Sequence, residues 1–418
     1  MSRVCSFVLV LFAVAAPSAA ESLTIAQAID EAVQHNLALL AERSNLTIAD
    51  AQMIAARLRP NPVFTFSADH LDLLGTGLSE SNNGGPPEIA WRVDVPLERG
   101  GKRDARVALA SAVKSVAEAQ FADAVRVLKQ DLTLACIDVI AAEAVRKLLA
   151  DTLRTYEDLA RVNRARLTAG SIAPFESTRS EVAMLQFRAT VVRADLDLAS
   201  ATARLRTLLG RPPGAPLEIS DGLSVAAAPA PDAVSLEATA MQARPDLRAL
   251  ELAQARTTAD LRLQEALGRI DYTVGAEYRR QQGIAGRSNS LGFFFSTPVP
   301  LSNRNQGEIA RAGGEREQVD RQLAARRAQI AADVQTAFHE YVTTRNLVDS
   351  IERDLLNPAT RARDTSAYSY KAGGTTLLEL LDAQRAFNET MESYVDAQAS
   401  LRRAMTRLNA AVGTEVLP

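Results

Sequence analysis

Cysteine is almost missing from this sequence: Cys5 and Cys136 are the only two among 418 residues. Cys5 falls inside an N-terminal leader, which leaves one thiol in the exported chain and excludes an internal disulfide. Set among Leu132, Ile137 and Val139, Cys136 is expected to pack as a small apolar core residue. Histidine is as scarce, with His35, His70 and His339 far apart, and there are six methionines. No HExxH or CxxC pairing occurs, which removes the usual ways of holding a catalytic or soft metal. Asp69, His70 and Asp72 come nearest to a ligand cluster, at the spacing of a solvated hairpin loop. Paired carboxylates, a nucleophile beside its base and a phosphate-binding glycine loop are also lacking, so neither catalysis nor a cofactor is expected.

Neither sign of charge prevails. The 47 basic residues stand against 50 acidic ones, spread along the chain, and without a basic face no nucleic-acid partner is expected. Long apolar runs are confined to the start. Arg3, the run from Phe7 to Ala16 and the small residues Pro17-Ser18-Ala19-Ala20 before Glu21 read as a cleaved export signal over residues 1–20. Cys5 lacks the small residues that precede a lipidated cysteine, so no lipid anchor is expected. Later segments offer no run of about 18 apolar residues, which argues against a transmembrane helix. A β-barrel remains open to this chain, because its strands need only alternate.

What is present comes twice. Arg99-Gly100-Gly101-Lys102-Arg103 follows one alternating segment, and Asn303-Arg304-Asn305-Gln306-Gly307 follows another about 204 residues later. Helical patterns over 23–59 and 234–267 precede the strands of each half, with Asn36-Leu37 matched by Asp246-Leu247 and Arg59 by Arg269. Pro245 divides the second pattern and suits the first turn of a helix. The organisation expected is an internal duplication: a first repeat over 21–210, a linker or equatorial segment over 211–232, and a second repeat over 233–418.

Each repeat carries a pair of strands, 63–97 and 271–301. In the first, Ile89, Trp91, Val93, Val95 and Leu97 share one face, while Ala90, Arg92 and Asp94 share the other. Leu291, Phe293, Phe295, Thr297 and Val299 repeat that alternation, and Tyr272, Val274, Ala276 and Tyr278 form a matching face. Trp91, Val93, Phe293 and Phe295 are the expected lipid-facing positions. The glycine-rich stretches from Gly75 to Pro87 and from Gln281 to Ser290 read as exposed hairpin ends.

Long helices follow. Residues 103–169 contain no proline or glycine, and Leu128, Ala135, Ala142 and Leu149 recur every seven residues. A helix of that length would span about 100 Å. It turns at Ala169-Gly170-Ser171 and returns through 175–209. The second outgoing helix, 306–371, is expected to break near Gly313-Gly314 and Pro358, then turn at Ala372-Gly373-Gly374-Thr375. Its return carries Leu380, Phe387, Tyr394 and Leu401 on one row. The small turn residues allow a partner's helical hairpin to approach closely. Glu176, Glu379 and Asp382, within a few turns, are candidates for an acidic constriction that favours cations.

Four strands cannot close a barrel, and open edges in hydrocarbon cost several kcal/mol per unpaired group. Several copies must therefore share one sheet. Three copies would give about twelve strands around an open interior. The sequence thus reads as an α+β outer-membrane protein: a trimeric β-barrel continued by a long periplasmic α-helical barrel, serving as a passive duct. A periplasmic coiled-coil adaptor also uses long helical hairpins, but it would carry one hairpin in a small β module, not two hairpins with two strand pairs.

Arg59-Pro60-Asn61-Pro62, Pro96-Leu97-Glu98-Arg99-Gly100-Gly101-Lys102-Arg103 and Pro300-Leu301-Ser302-Asn303-Arg304-Asn305-Gln306-Gly307, in that order, resemble the TolC-type outer membrane efflux family. Within it they resemble the branch serving heavy-metal pumps of the cobalt-zinc-cadmium and cobalt-nickel types. The resemblance covers nearly the whole exported chain. It implies a homotrimer with a twelve-stranded barrel in outer-membrane lipid. It further implies a periplasmic adaptor (membrane fusion) protein and an inner-membrane, proton-driven resistance-nodulation-division transporter as partners. The family's tip turns match Ala169-Gly170 and Ala372-Gly373-Gly374, and its aperture acids match Asp382 or Glu379. The cargo implied is a divalent cation of cobalt, nickel, zinc or cadmium, with organic compounds as the alternative.

Overall fold

The computed structural model describes residues 22–71, 73, 75, 87–224, 232–283 and 286–417. The export signal, Asp72 and most of the Gly75–Pro87 loop lie outside the described residues. In chain order the elements are β1 (Ser22–Leu23), α1 (Ile25–His35), α2 (Leu37–Arg57), β2 (Val63–Asp69), β3 (Glu88–Leu97), α3 (Lys102–Thr168), α4 (Pro174–Leu209) and β4 (Glu218–Ile219). The second repeat supplies α5 (Ala233–Ala243), α6 (Pro245–Leu267), β5 (Tyr272–Gly283), β6 (Gly286–Ser296), α7 (Gln306–Ser350), a π-helical turn (Ile351–Leu355), α8 (Leu356–Lys371) and α9 (Leu377–Val412). The chain forms two compact units, and both repeats contribute to each. One is built from the described parts of residues 1–40, 124–243 and 330–418, the other from 41–123 and 244–329.

The second unit holds an antiparallel sheet in the order β2-β3-β5-β6. The two hairpins join through β3 and β5, with Trp91 opposite Tyr278 and Leu97 opposite Tyr272. The Gln281–Ser290 stretch is shorter as a loop than its composition suggests. Pairing continues from Gln281–Ser288 to Gly283–Gly286, because ladder hydrogen bonds do not require an apolar face. Below the sheet, the two repeated loops are clasps. Lys102 is buried and bonds Asp271 Oδ2 at 2.6 Å, while the Arg99 amide donates to Oδ1 at 2.9 Å. Arg106 grips Glu98 through both guanidinium nitrogens. In the second copy, Asn305 replaces a clasp glycine at φ +64° and donates from Nδ2 to the Gln264 carbonyl at 2.8 Å.

The other unit is helical. Leu132, Cys136, Ile137, Leu205, Leu209, Leu408 and Val412 are almost wholly buried, and burial pushes the Cys136 thiol up to about 12. The short helix α1 packs on α4, and α5 on α9, repeating one relationship in each half. Thr24 and Gln27 form a capping box at the start of α1. The 23–59 pattern is two helices, because Asn36 ends α1 and then accepts the Leu39 amide at 2.9 Å. In the second half the same break falls at Arg244, with Pro245 opening α6.

One expectation changes and one segment gains a partner. Within the linker or equatorial segment lies β4, which pairs in parallel with β1, the first strand among the described residues. Gly313-Gly314 does not interrupt α7, which is continuous through both glycines. The irregularity sits lower, in the π-helical turn, where the Leu356 amide donates to the Ile351 carbonyl. Pro358 explains this. Its ring would collide with the carbonyl of Asp354, four residues earlier, and a wider turn there gives room.

Candidate conduction surfaces and turn sites

The sheet separates its side chains by chemistry. On one face Phe64, Phe66, Trp91, Val93, Val274, Tyr278, Phe293 and Phe295 are all exposed, with Phe293 at 81%. The rings touch along the face: Trp91 stacks on Tyr278 at 5.7 Å, and Tyr272 tilts against Phe295 at 5.2 Å. A ring left in water forfeits about 2 kcal/mol, so a face of them requires an apolar medium. Trp91, Val93, Phe293 and Phe295 all lie on this side.

The opposite face is ionic. Arg92 pairs with Asp94 at 2.8 Å while its guanidinium sits 4.0 Å over the Phe294 ring. Arg279 pairs with Glu277 at 2.9 Å and Glu88 at 2.8 Å, and Gln281 adds a bond to Glu88 at 2.6 Å. Groups so charged belong against water. The sheet is thus ionic on one side and apolar on the other, the division of chemistry that a strand between water and lipid requires.

The helical turns repeat one another to the atom. Gly170 donates to the Leu167 carbonyl and Ser171 to that of Arg166; Gly373 donates to Tyr370 and Gly374 to Ser369. Both are Schellman closures, with Gly170 at φ +70° and Gly373 at φ +78°, where a side chain would be strained. Ala169, Ser171, Ala372 and Gly374 are exposed; Thr375 is half-buried, its Oγ1 without a hydrogen-bond partner. Among the acids, Glu379 Oε2 accepts the Thr376 amide at 2.9 Å in a capping box, so it serves the helix start. Its counterpart Glu176 lies in the first turn of α4, which begins with Pro174 and has no side-chain cap. Asp382 is exposed one turn below Glu379.

Behind the turns the core becomes polar. Tyr156, Tyr370, Leu377 and Leu381 form its apolar part. Around them are buried Asn163, Ser177, Ser180, Thr152, Gln384 and Asn388. Tyr370 bonds Asn163 Oδ1 at 2.8 Å, and both Thr152 and Gln384 donate to Asn388 Oδ1 at 3.1 Å. This layer is absent from the sequence reading. The seven-residue row through Leu128 and Leu149, carried two steps further, lands on Tyr156 and Asn163 and would have found it. Among the described residues, no three histidine, cysteine, aspartate or glutamate side chains converge as metal ligands.

The pattern of the outer membrane efflux protein family matches residues 28–211 and 237–414, taking in both repeats. The chain belongs to this family. It is an outer-membrane exit duct of a tripartite efflux pump, with its helical region in the periplasm, working with an adaptor and an inner-membrane transporter. It is a passive conduit and not an enzyme. The cobalt-zinc-cadmium resistance protein CzcC of Cupriavidus metallidurans is 23% identical over 94% of this chain and 91% of its own length. The pyoverdine export outer membrane protein OpmQ of Pseudomonas aeruginosa is 26% identical over 66% of this chain and 58% of its own. Among solved structures, the CmeC outer membrane channel of Campylobacter jejuni superposes with a TM-score of 0.78, covering 94% of this chain and 87% of that one at 11% identity.

Proposed function

We propose that three copies of this chain close a twelve-stranded barrel and conduct divalent heavy-metal cations, of cobalt, nickel, zinc or cadmium, outward. The observation that carries the shared barrel is the open sheet. Its order β2-β3-β5-β6 leaves β2 and β6 each with one unpaired edge among the described residues, while one face is made for lipid. Edge-to-edge pairing between copies satisfies those groups and places Arg92, Glu277 and Arg279 around the water.

The cargo reading rests on the likeness to CzcC, a cobalt-zinc-cadmium resistance protein, over nearly the full chain. It is supported by the exposed carboxylate of Asp382 beside the second turn, where a ring of acids would favour cations; Glu379 next to it keeps one oxygen in its capping box. The transporter behind such a duct is a proton-driven pump of the resistance-nodulation-division type, reached through an adaptor whose hairpin seats against Ala169, Gly170, Ser171, Ala372, Gly373, Gly374 and Thr375. The likeness to OpmQ, a pyoverdine export protein, favours a second reading in which the cargo is organic.

Deleting the chain and measuring retained metal and retained organic compounds separates the two. The metal reading expects cobalt, nickel, zinc or cadmium to accumulate in the deletion strain, with restoration by the wild-type chain. Unchanged metal together with retention of an organic dye or siderophore would replace it by the second.

A further inference from the structure

The rim of the sheet on its helix side carries a concentration of arginine that neither conduction nor partner docking uses. Strand register fixes the level: Val63, Leu97, Tyr272 and Ser296 end the four strands on one side. Just beyond them lie Arg57, Arg59, Arg99, Arg103, Arg269 and Arg304, all exposed. None has a carboxylate within 4 Å among the described residues, whereas the two nearest acids are already matched, Glu98 by Arg106 and Asp271 by Lys102. Asp104 and Glu308 head α3 and α7, and Glu265 lies in the last turn of α6, four residues before Arg269.

Position on the sheet decides what these cations face. Arg99 continues the apolar row Trp91, Val93, Val95, Leu97, and its guanidinium lies 4.3 Å over the Tyr272 ring, which itself tilts against Phe295. Arg269 runs its stem across Gly100, so close that a Cβ there would meet its Cδ at 2.5 Å. One guanidinium is therefore held on an aromatic ring at the margin of the apolar face, and the stem of Arg269 crosses the next residue of the clasp. Val299 and Leu301, 72% and 87% exposed, extend the apolar surface to the same level. A guanidinium stacked on an aromatic ring at the edge of an apolar face keeps the N–H donors around its rim for a headgroup.

We propose that this rim is a binding collar for the phosphate headgroups of anionic phospholipid in the periplasm-facing leaflet. The proposal rests on the outer-membrane location, and adds which lipid chemistry the duct selects. Arginine suits the task because its planar fork meets two phosphate oxygens at once. Charge complementarity favours an anionic lipid over a zwitterionic one of equal chain length, whose ammonium would meet the same arginines.

Native mass spectrometry of the detergent-extracted, delipidated full chain, given phosphatidylglycerol or phosphatidylethanolamine, tests this. Wild type is expected to retain phosphatidylglycerol preferentially. Arg59→Gln, Arg99→Gln and Arg304→Gln should each weaken retention by about fivefold. Arg280→Gln with Arg287→Gln, at the opposite rim, should leave it unchanged, and inorganic phosphate should not displace the lipid. Equal retention of both lipids, or a triple variant that keeps the wild-type preference, overturns the collar; displacement by millimolar phosphate does so too, by making the site one for free anion. Should the triple variant not fold, Arg99→Gln alone against Arg99→Lys gives the same decision. A chain that needs detergent but shows no lipid preference refutes only the collar, whereas one that leaves the membrane fraction in plain buffer refutes the membrane location as well.

Discussion

Tyr370 donates its hydroxyl to Asn163 across 2.8 Å, in a site closed to water, and so ties the outgoing helix of one repeat to that of the other. Asn163 Nδ2 has no partner there. The pair therefore leaves one buried donor unsatisfied in the helical core.

Tyr370→Phe should strand Asn163 with both ends of its amide unmatched. The expected cost is about 1–2 kcal/mol, confined to the turn end. Hydrogen exchange should accelerate around 160–185 and 365–390 while the amides near Leu132 and Leu408 stay protected. Uniform acceleration through both ends would show that the bond has no local role.

Gly100 and Gly101 share φ +73° but not their surroundings. Around Gly101 nothing lies within 4 Å of an added Cβ, so Gly101→Ala should cost only the backbone strain, about 1 kcal/mol. Gly100→Ala must also push the Arg269 stem aside and should cost more. Equal urea midpoints for the two variants would contradict this packing.

Acid should loosen the strand-bearing unit through Asp246. Burial raises its pKa, but bonds and charge from Arg244, the charge of Arg326 and the Leu247 amide outweigh burial and bring it from 3.8 down to about 2. A carboxylate depressed on folding stabilises above its ordinary pKa, and that stabilisation, about 2 kcal/mol, is lost as pH falls from near 4 towards 2. Asp246→Asn should remove this acid limb and destabilise the neutral protein by about 2 kcal/mol, because Arg244 and Arg326 lose the carboxylate they share. Unfolding measured from pH 7 to 2 distinguishes the two curves.

Neighbouring residues of β3 should report opposite media. A cysteine at Trp91 is expected to react with a lipid-soluble maleimide and resist a charged one, and a cysteine at Arg92 to do the reverse. The same aqueous reactivity at both would remove the two-faced wall.

Much of this was legible in the chain because its signals are repeated. Period two marked the apolar face through Trp91 and Phe293, and the unbroken 103–169 stretch marked α3 to within a residue at each end. Glycine at 170 and 373 located both turns because reversal needs a left-handed residue there. Less was legible where structure depends on distant partners. The β1–β4 pairing joins residues about 196 apart and leaves no local pattern. Gly313-Gly314 misled because a helix held along its length tolerates glycine at about 1 kcal/mol each, whereas a proline carbonyl clash must be relieved by geometry. The candidate acids were found as residue types, yet only coordinates show that Glu379 caps its own helix.

The two unpaired margins of the sheet carry a genetic corollary. In the proposed shared sheet a solitary copy would be an orphan in hydrocarbon, so entry into the bilayer would have to be collective and steeply dependent on how many copies are made at once. A subunit altered only at β6 would still offer β2 to its sisters and spoil the ring it joins. Such an allele should act dominantly, with severity set by gene dosage.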